Sequence, residues 1–154
     1  MKVLVPRVLK AFLLAFAWIV GALALMQIVP YGRTHANPPR VQEPVWDSPR
    51  TRALAVRACF NCHSNETKWP WYASLAPLSW VVEFDVNAAR SVVNFSEWNR
   101  SYPLAPYSGQ SVRTGNMPTV KYRMAHPEAD LTKQEMLDLA SGLDATLQEP
   151  GTRY

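Results

Sequence analysis

Apolar and polar positions divide this chain into one unbroken apolar run and several shorter amphipathic stretches. From Ala11 to Val29 there is no charged side chain and a single polar one, Gln27. At about 1.5 Å per residue, a helix over that run is about 28 Å long, close to the hydrocarbon thickness of a bilayer. Lys2, Arg7 and Lys10 precede the run, and Pro30, Tyr31 and Gly32 follow it. Basic residues on that side predict an N-terminus in the cytoplasm and the rest of the chain outside it. A competing reading is a cleaved signal peptide, for which Ala22-Leu23-Ala24 offers small residues. The apolar run continues past that point through Leu25, Met26, Ile28 and Val29, longer than the usual signal core of about 7–15 residues. Residues 1–30 are therefore expected to be a single-pass anchor, with the cleaved form as the alternative.

Pro38, Pro39 and Pro44 then favour an extended backbone, so residues 31–43 read as a stiff spacer. Val45 and Trp46 are expected to pack on the following domain as an arm starting near Glu43. Ser48-Pro49 is a helix start, an N-cap residue with proline at the first helical position. This helix should run from Pro49 to about Phe60, with Leu54 and Ala58 on one face. Trp69-Pro70-Trp71-Tyr72 reads as an aromatic loop. A second helix is expected from Pro77 to Val93, where Leu78, Val81, Val82, Asp85, Ala89 and Val92 give a mostly apolar face. Residues 96–116 look irregular. Thr132-Lys133-Gln134-Glu135 is a capping box, after which Met136, Leu139, Leu143 and Leu147 recur at helical spacing. No stretch alternates with period two. The expectation is a mainly α domain over residues 44–148, with three or four helices.

Charge excludes one class of partner. The chain has 16 Lys and Arg against 12 Asp and Glu, and a net charge of +4. Three of the basic residues precede the apolar run, and the remaining charges nearly balance. No element carries the clustered Lys and Arg that a nucleic-acid footprint requires.

The only cysteines are Cys59 and Cys62. A loop that short returns little stability as a disulfide. With the next residue they form Cys59-Phe60-Asn61-Cys62-His63, the pattern of c-type haem attachment. Two thiols three positions apart on a helical turn can add to the two vinyl groups of one porphyrin, and the adjacent imidazole can then bind the iron. A zinc site would need a second ligand pair. A thioredoxin-like dithiol would need a βαβ surround.

For the sixth iron position the choice is Met117, in Gly115-Asn116-Met117-Pro118. The glycine permits close backbone approach, the proline stiffens the loop, and a thioether is a soft ligand suited to ferrous iron. Filling a gap beside the ring is the blander role for that side chain. His126, in His126-Pro127-Glu128, is the rival ligand, and its other reading is to tie down a turn. His35 falls in the spacer and is expected to be solvated. Trp69, Trp71, Tyr72, Trp80, Trp98 and Tyr122 read as core. Arg90, Arg113, Lys121 and Arg123 are candidates to pair with haem propionates.

Several runs carry a resemblance. Asp47-Ser48-Pro49-Arg50-Thr51, then Cys59 to Thr67, Trp69-Pro70-Trp71-Tyr72 and Ala76-Pro77-Leu78-Ser79-Trp80 are among them. Asn94-Phe95-Ser96-Glu97-Trp98, Met117-Pro118 and His126-Pro127-Glu128-Ala129 extend it over roughly residues 38 to 147. In these the chain resembles a bacterial haem-binding-domain family related to cytochrome c. The resemblance implies a cytochrome c-like fold and one covalent haem c held by Cys59, Cys62 and His63. It also implies attachment to the bacterial inner membrane with the haem domain facing the periplasm. The stretch from Ser101 to Gln110 is its least typical part.

The expected function is one-electron transfer by a membrane-anchored cytochrome with His63 and Met117 on the iron. Its partners would be membrane lipid, through the N-terminal helix, and other membrane or periplasmic redox proteins. A haem-based sensor or ligand-binding module with a labile sixth ligand is the alternative. Catalysis is not expected, because no set of polar acid–base groups is evident on a distal side.

Overall fold

In the computed structural model, residues 4–147 are described, with side chains from residue 6 onward. Lys2 and the expected domain end at 148 fall outside them. The chain is mainly helical, as the patterning predicts, and among the described residues the only β pairing is an isolated bridge between Gln42 and Glu97. Helix α1 is Leu4–Met26, and α2 is Pro49–Ala58. The short α3 is Phe60–His63, and α4 is Leu78–Val92. Then come α5, Ser108–Arg113, α6, Val120–Ala125, and α7, Lys133–Leu147. Tight 3₁₀ turns occupy Trp71–Ser74, Ala105–Tyr107 and Pro127–Ala129. The stretch expected to be irregular thus contains α5, and the helix count exceeds the three or four expected.

Two compact units are formed by the described residues of Met1–His35 with Trp69–Phe84 and of Ala36–Lys68 with Asp85–Tyr154. In the first, Pro6–Met26 is a helix long and apolar enough to cross a membrane, with none of it buried in the protein. Gln27, the one polar residue of the apolar run, uses its whole side-chain amide. Its nitrogen donates to Leu23 O at 2.9 Å and Ala76 O at 2.8 Å. Its oxygen accepts from Ala76 N at 3.1 Å and from Arg33 at 2.7 Å. Gly32 has φ 77°, and a Cβ there would lie 2.6 Å from the Ser79 carbonyl carbon, so that close approach requires glycine. His35 is not left in solvent. It stacks on Trp69 with ring centroids 5.0 Å apart, and its Nε2 lies 3.0 Å from Ala73 O, to which it can donate.

The second unit is built on its last helix. α7 packs against α2 and α5, and Leu139, Ala140, Leu143 and Leu147 enter a core with Leu54, Ala55, Ala58, Phe60, Phe95 and Val112. The expected caps form. Ser48 accepts from Thr51 N at 3.1 Å. Thr132 N donates to Glu135 at 2.8 Å while Thr132 Oγ1 accepts from Glu135 N at 3.2 Å. Gly142 lets α7 approach α2, since a Cβ there would overlap Thr51, with Cγ2 at 2.6 Å.

Docking of the chain before α2 begins upstream of Glu43. Asn37 donates to Thr67 O at 2.8 Å, Val41 N donates to Ser96 O at 2.8 Å, and Trp98 N donates to Gln42 O at 2.9 Å. The apolar face expected on α4 is also redrawn. Val86 and Val93 are buried with Ser79, while Leu78, Val81 and Val92 are exposed.

Candidate functional site: the cysteine–histidine turn

The motif residues sit on a tight turn that α2 feeds directly. Cys59 N donates to Ala55 O at 2.7 Å, continuing the α2 ladder. Cys62 N and His63 N then both donate to Cys59 O, at 3.1 and 2.9 Å. One turn of backbone therefore carries both thiols and the imidazole. The two cysteines are free and half-buried. Burial pushes the Cys59 thiol up to about 12, and burial with the nearby Asp85 carboxylate pushes Cys62 up to about 11. Both are neutral thiols near pH 7.

His63 is held by its Nδ1, 3.1 Å from the carbonyl oxygen of Val93 at the end of α4. A carbonyl only accepts, so Nδ1 carries the proton and Nε2 keeps its lone pair. Burial also holds the imidazole below its ordinary value, against the opposing pull of the Val93 and Ala89 carbonyls, which keeps it neutral. A neutral imidazole with one nitrogen tied to a backbone carbonyl is the usual arrangement of a metal-ligating histidine.

Residues just after the motif are locked to those just after α4. Phe95 N donates to His63 O at 2.8 Å, Asn65 N donates to Ser96 Oγ at 2.9 Å, and Asn94 donates to Asn65 Oδ1 at 2.8 Å. Asn65, Asn94 and Ser96 are buried, so these bonds replace water. Arg90 spans the same region, donating to Ser64 O at 2.8 Å, Ala36 O at 3.0 Å, and Asn37 Oδ1 and Thr67 Oγ1 at 3.0 Å each. Its guanidinium is committed to this framework. Phe60 and Phe95 stack beneath the turn at 5.6 Å, with Trp46 at 5.3 Å and Trp98 at 6.2 Å from Phe95.

On the other flank stands α6. Asn61, between the two cysteines, donates to Tyr122 Oη at 2.7 Å, and Tyr122 stacks on His126 at 4.2 Å. His126 Nδ1 lies 3.0 Å from a Glu128 carboxylate oxygen, so this histidine ties down the turn after α6. Met117 is 40% exposed, and its N and that of Asn116 both donate to Ser111 O, at 3.1 and 3.0 Å. It borders a shallow depression with Gly115, Pro118, Arg123, Ala129, Leu131 and Met136. None of Cys59, Cys62 and His63 lines that depression. Arg113, Lys121 and Arg123 pair with Asp144, Asp85 and Asp130.

Trp98 packs on the core as expected, but Trp71 is 78% exposed. Trp46 packs on the core as the arm reading expects, whereas Val45 beside it is exposed. Sequence reading missed Phe60 and Phe95 as the aromatic support, and Asn61 and Tyr122 as a bridge. Phe60 falls inside the cysteine motif, a signal already used for another purpose. α6, with six residues, is too short to show a period.

A small helical unit that carries a histidine tethered through Nδ1 beside two free thiols suits a binder of a metal-containing prosthetic group. The chain belongs to the haem-binding domain family, whose model matches residues 21–145. No curated protein and no solved structure matches it. The residues present fit the haem that the family implies. His63, tied through Nδ1 to Val93 O, and the unpaired sulfurs of Cys59 and Cys62 share one turn, a donor set that could hold such a group.

Proposed function

We propose that this chain is a membrane-anchored c-type cytochrome that carries single electrons on the periplasmic side of a bacterial inner membrane. The observation that carries this reading is the Nδ1–Val93 hydrogen bond, which leaves His63 Nε2 as a donor one residue from Cys62. Cys59 and Cys62 would hold the porphyrin through thioethers, and His63 would bind the iron. The haem supplies one-electron Fe(II)/Fe(III) exchange. The protein's part is to fix the imidazole through Val93, to brace the turn with the Asn65–Asn94–Ser96 bonds, and to exclude water with Phe60 and Phe95. Met117 is the sixth ligand in this reading, and its loop is short and anchored on Ser111. Arg7 and Lys10, in the first two turns of α1 and ahead of its uncharged stretch, support a cytoplasmic N-terminus. Small, weak encounters with other membrane or periplasmic redox proteins suit such a carrier, and a catalytic role is not proposed.

The test is a pyridine haemochrome spectrum of the full chain, made in a host with haem-ligation machinery. A spectrum with both vinyl groups saturated is expected. Colourless protein with two titratable thiols would end the proposal.

The partial exposure of Met117 favours a second reading, a sensor whose sixth ligand is displaced by a small gas. Rapid and complete carbon monoxide binding by the reduced protein would favour the sensor; slow or partial binding would favour the carrier.

A further inference from the structure

The unit that contains α1 exposes apolar side chains beyond the helix itself. Trp71 and Phe84 are 78% and 66% exposed, and Ile28, Leu75, Leu78 and Val81 are exposed with them. Leu78, Val81 and Phe84 follow at three-residue steps, so they form one stripe along the first half of α4. Ser79 on the opposite side is fully buried. An α-helix on a water-facing surface shows polar residues on its outer stripe, the reverse of what is found here. From Trp69 to Val82 there is no charged side chain.

Gln27 states where this surface lies along the anchor. It follows the last residue of α1 and clamps both the N–H and the carbonyl of Ala76, at 3.1 and 2.8 Å. Ala76 separates the Trp71–Ser74 turn from the start of α4. The exposed apolar residues are therefore continuous with the end of the apolar helix, at the depth where that helix leaves hydrocarbon. Every donor and acceptor of the Gln27 amide is used, as a polar group at a dry boundary requires. Tryptophan is enriched in that layer, where an apolar ring and a polar N–H are both accommodated.

We propose that the Trp71 turn and the Leu78–Val81–Phe84 stripe of α4 lie in the headgroup–acyl boundary of the bilayer that α1 spans, a second lipid contact beside the anchor. This rests on the reading of α1 as a membrane span. It is independent of which ligands hold the haem.

The experiment uses the full, haem-loaded chain in liposomes of phosphatidylethanolamine and phosphatidylglycerol. Photoreactive p-benzoylphenylalanine is placed, one site at a time, at the positions of Trp71, Val81, Phe84, Trp18 and Val45. Trp18 lies inside α1, and Val45 is an exposed residue of the other unit. Lipid adducts after irradiation are read by mass spectrometry. Adducts at positions 71, 81 and 84, several-fold above position 45 and comparable to position 18, are expected. Adducts at 18 but only background at 71, 81 and 84 would overturn the inference while leaving the span intact. Chain-to-chain adducts in place of lipid at those positions would overturn it in favour of a second copy. Absence of lipid adducts at every position, 18 included, would remove the span and the inference together.

Discussion

Asn61, between the two cysteines, donates its side-chain amide to the hydroxyl of Tyr122 at 2.7 Å. This bond couples the motif turn to α6, which follows the Met117 loop. Burial, as the main cause, raises the Tyr122 hydroxyl above its ordinary value, so it remains a neutral phenol. Tyr122→Phe removes the acceptor and should cost about 1 kcal/mol of stability, the typical net loss for one hydrogen bond. Chemical denaturation compares the variant with the parent chain. An unchanged midpoint would mean that the bridge is not formed in solution.

Met117→Ala should leave the fold nearly intact, because the side chain is 40% exposed, at a cost of no more than about 0.5 kcal/mol. If Met117 binds iron, the weak near-infrared sulfur-to-iron band disappears and the reduction potential falls. His126→Ala should leave that band in place and loosen only the turn that His126 ties to Glu128. A band that survives the first change and vanishes with the second would transfer the sixth position to His126.

Cys62→Ala should leave one thioether, giving a haemochrome band between those of haem c and haem with free vinyls. Loss of colour altogether would mean that both thiols are needed for retention. A spectrum identical to the parent's would exclude Cys62 from attachment.

Gly142→Ala tests the α2–α7 contact. Alanine favours a helix by about 0.8–1.0 kcal/mol over glycine, but overpacking a tight contact costs about 1–3 kcal/mol. With Thr51 Cγ2 at 2.6 Å from the added carbon, the second effect should win and the thermal midpoint should fall. A rise would show that Thr51 can move aside at little cost.

Glu43 ties the arm before α2 to that helix. Arg52 donates to its two carboxylate oxygens at 2.7 Å each, and Trp46 and Arg40 donate at 2.8 Å. The Arg52 guanidinium, with Trp46 and Arg40 and against burial, holds the Glu43 carboxyl down at about 2. A depressed carboxylate stabilises the fold fully above its unfolded value of about 4.3 and loses that contribution as pH falls towards its folded value. Allowing for solvent at the arginines, the contribution is about 1–2 kcal/mol. Glu43→Gln should therefore lower stability at pH 7 and flatten its dependence between about pH 4.5 and 2. A variant with the parent's acid slope would assign that slope to other carboxylates.

The parts of the fold that were legible in the sequence are those set by local chemistry. Ser48-Pro49 and the Thr132–Glu135 box mark their helix starts because capping involves neighbours only. α5 was hidden because its stability comes from α7, across which Gly109 fits below Ala140 O, 2.6 Å from where a Cβ would stand. The α4 face was misread because periodicity shows which residues align but not what covers them. For the site, Cys59, Cys62 and His63 could be named from spacing. The role of Val93 could not, since a backbone carbonyl has no sequence signature. Arg90 carried no signal of its partners either: Ser64, Ala36, Asn37 and Thr67 all sit in other segments that folding brings together.

The dependence of α2 on α7 bears on the order of events during biogenesis. The cysteines precede α7 in the chain, so they emerge in synthesis before the helix that completes their scaffold. Once that helix docks, both sulfurs are half-hidden and strongly disfavoured from ionising. On the cytochrome reading, an attachment enzyme would meet the thiols most readily on a translocated chain in which α7 has not yet docked on α2. Maturation would then be a race between ligation and folding, won more often when α7 docks slowly.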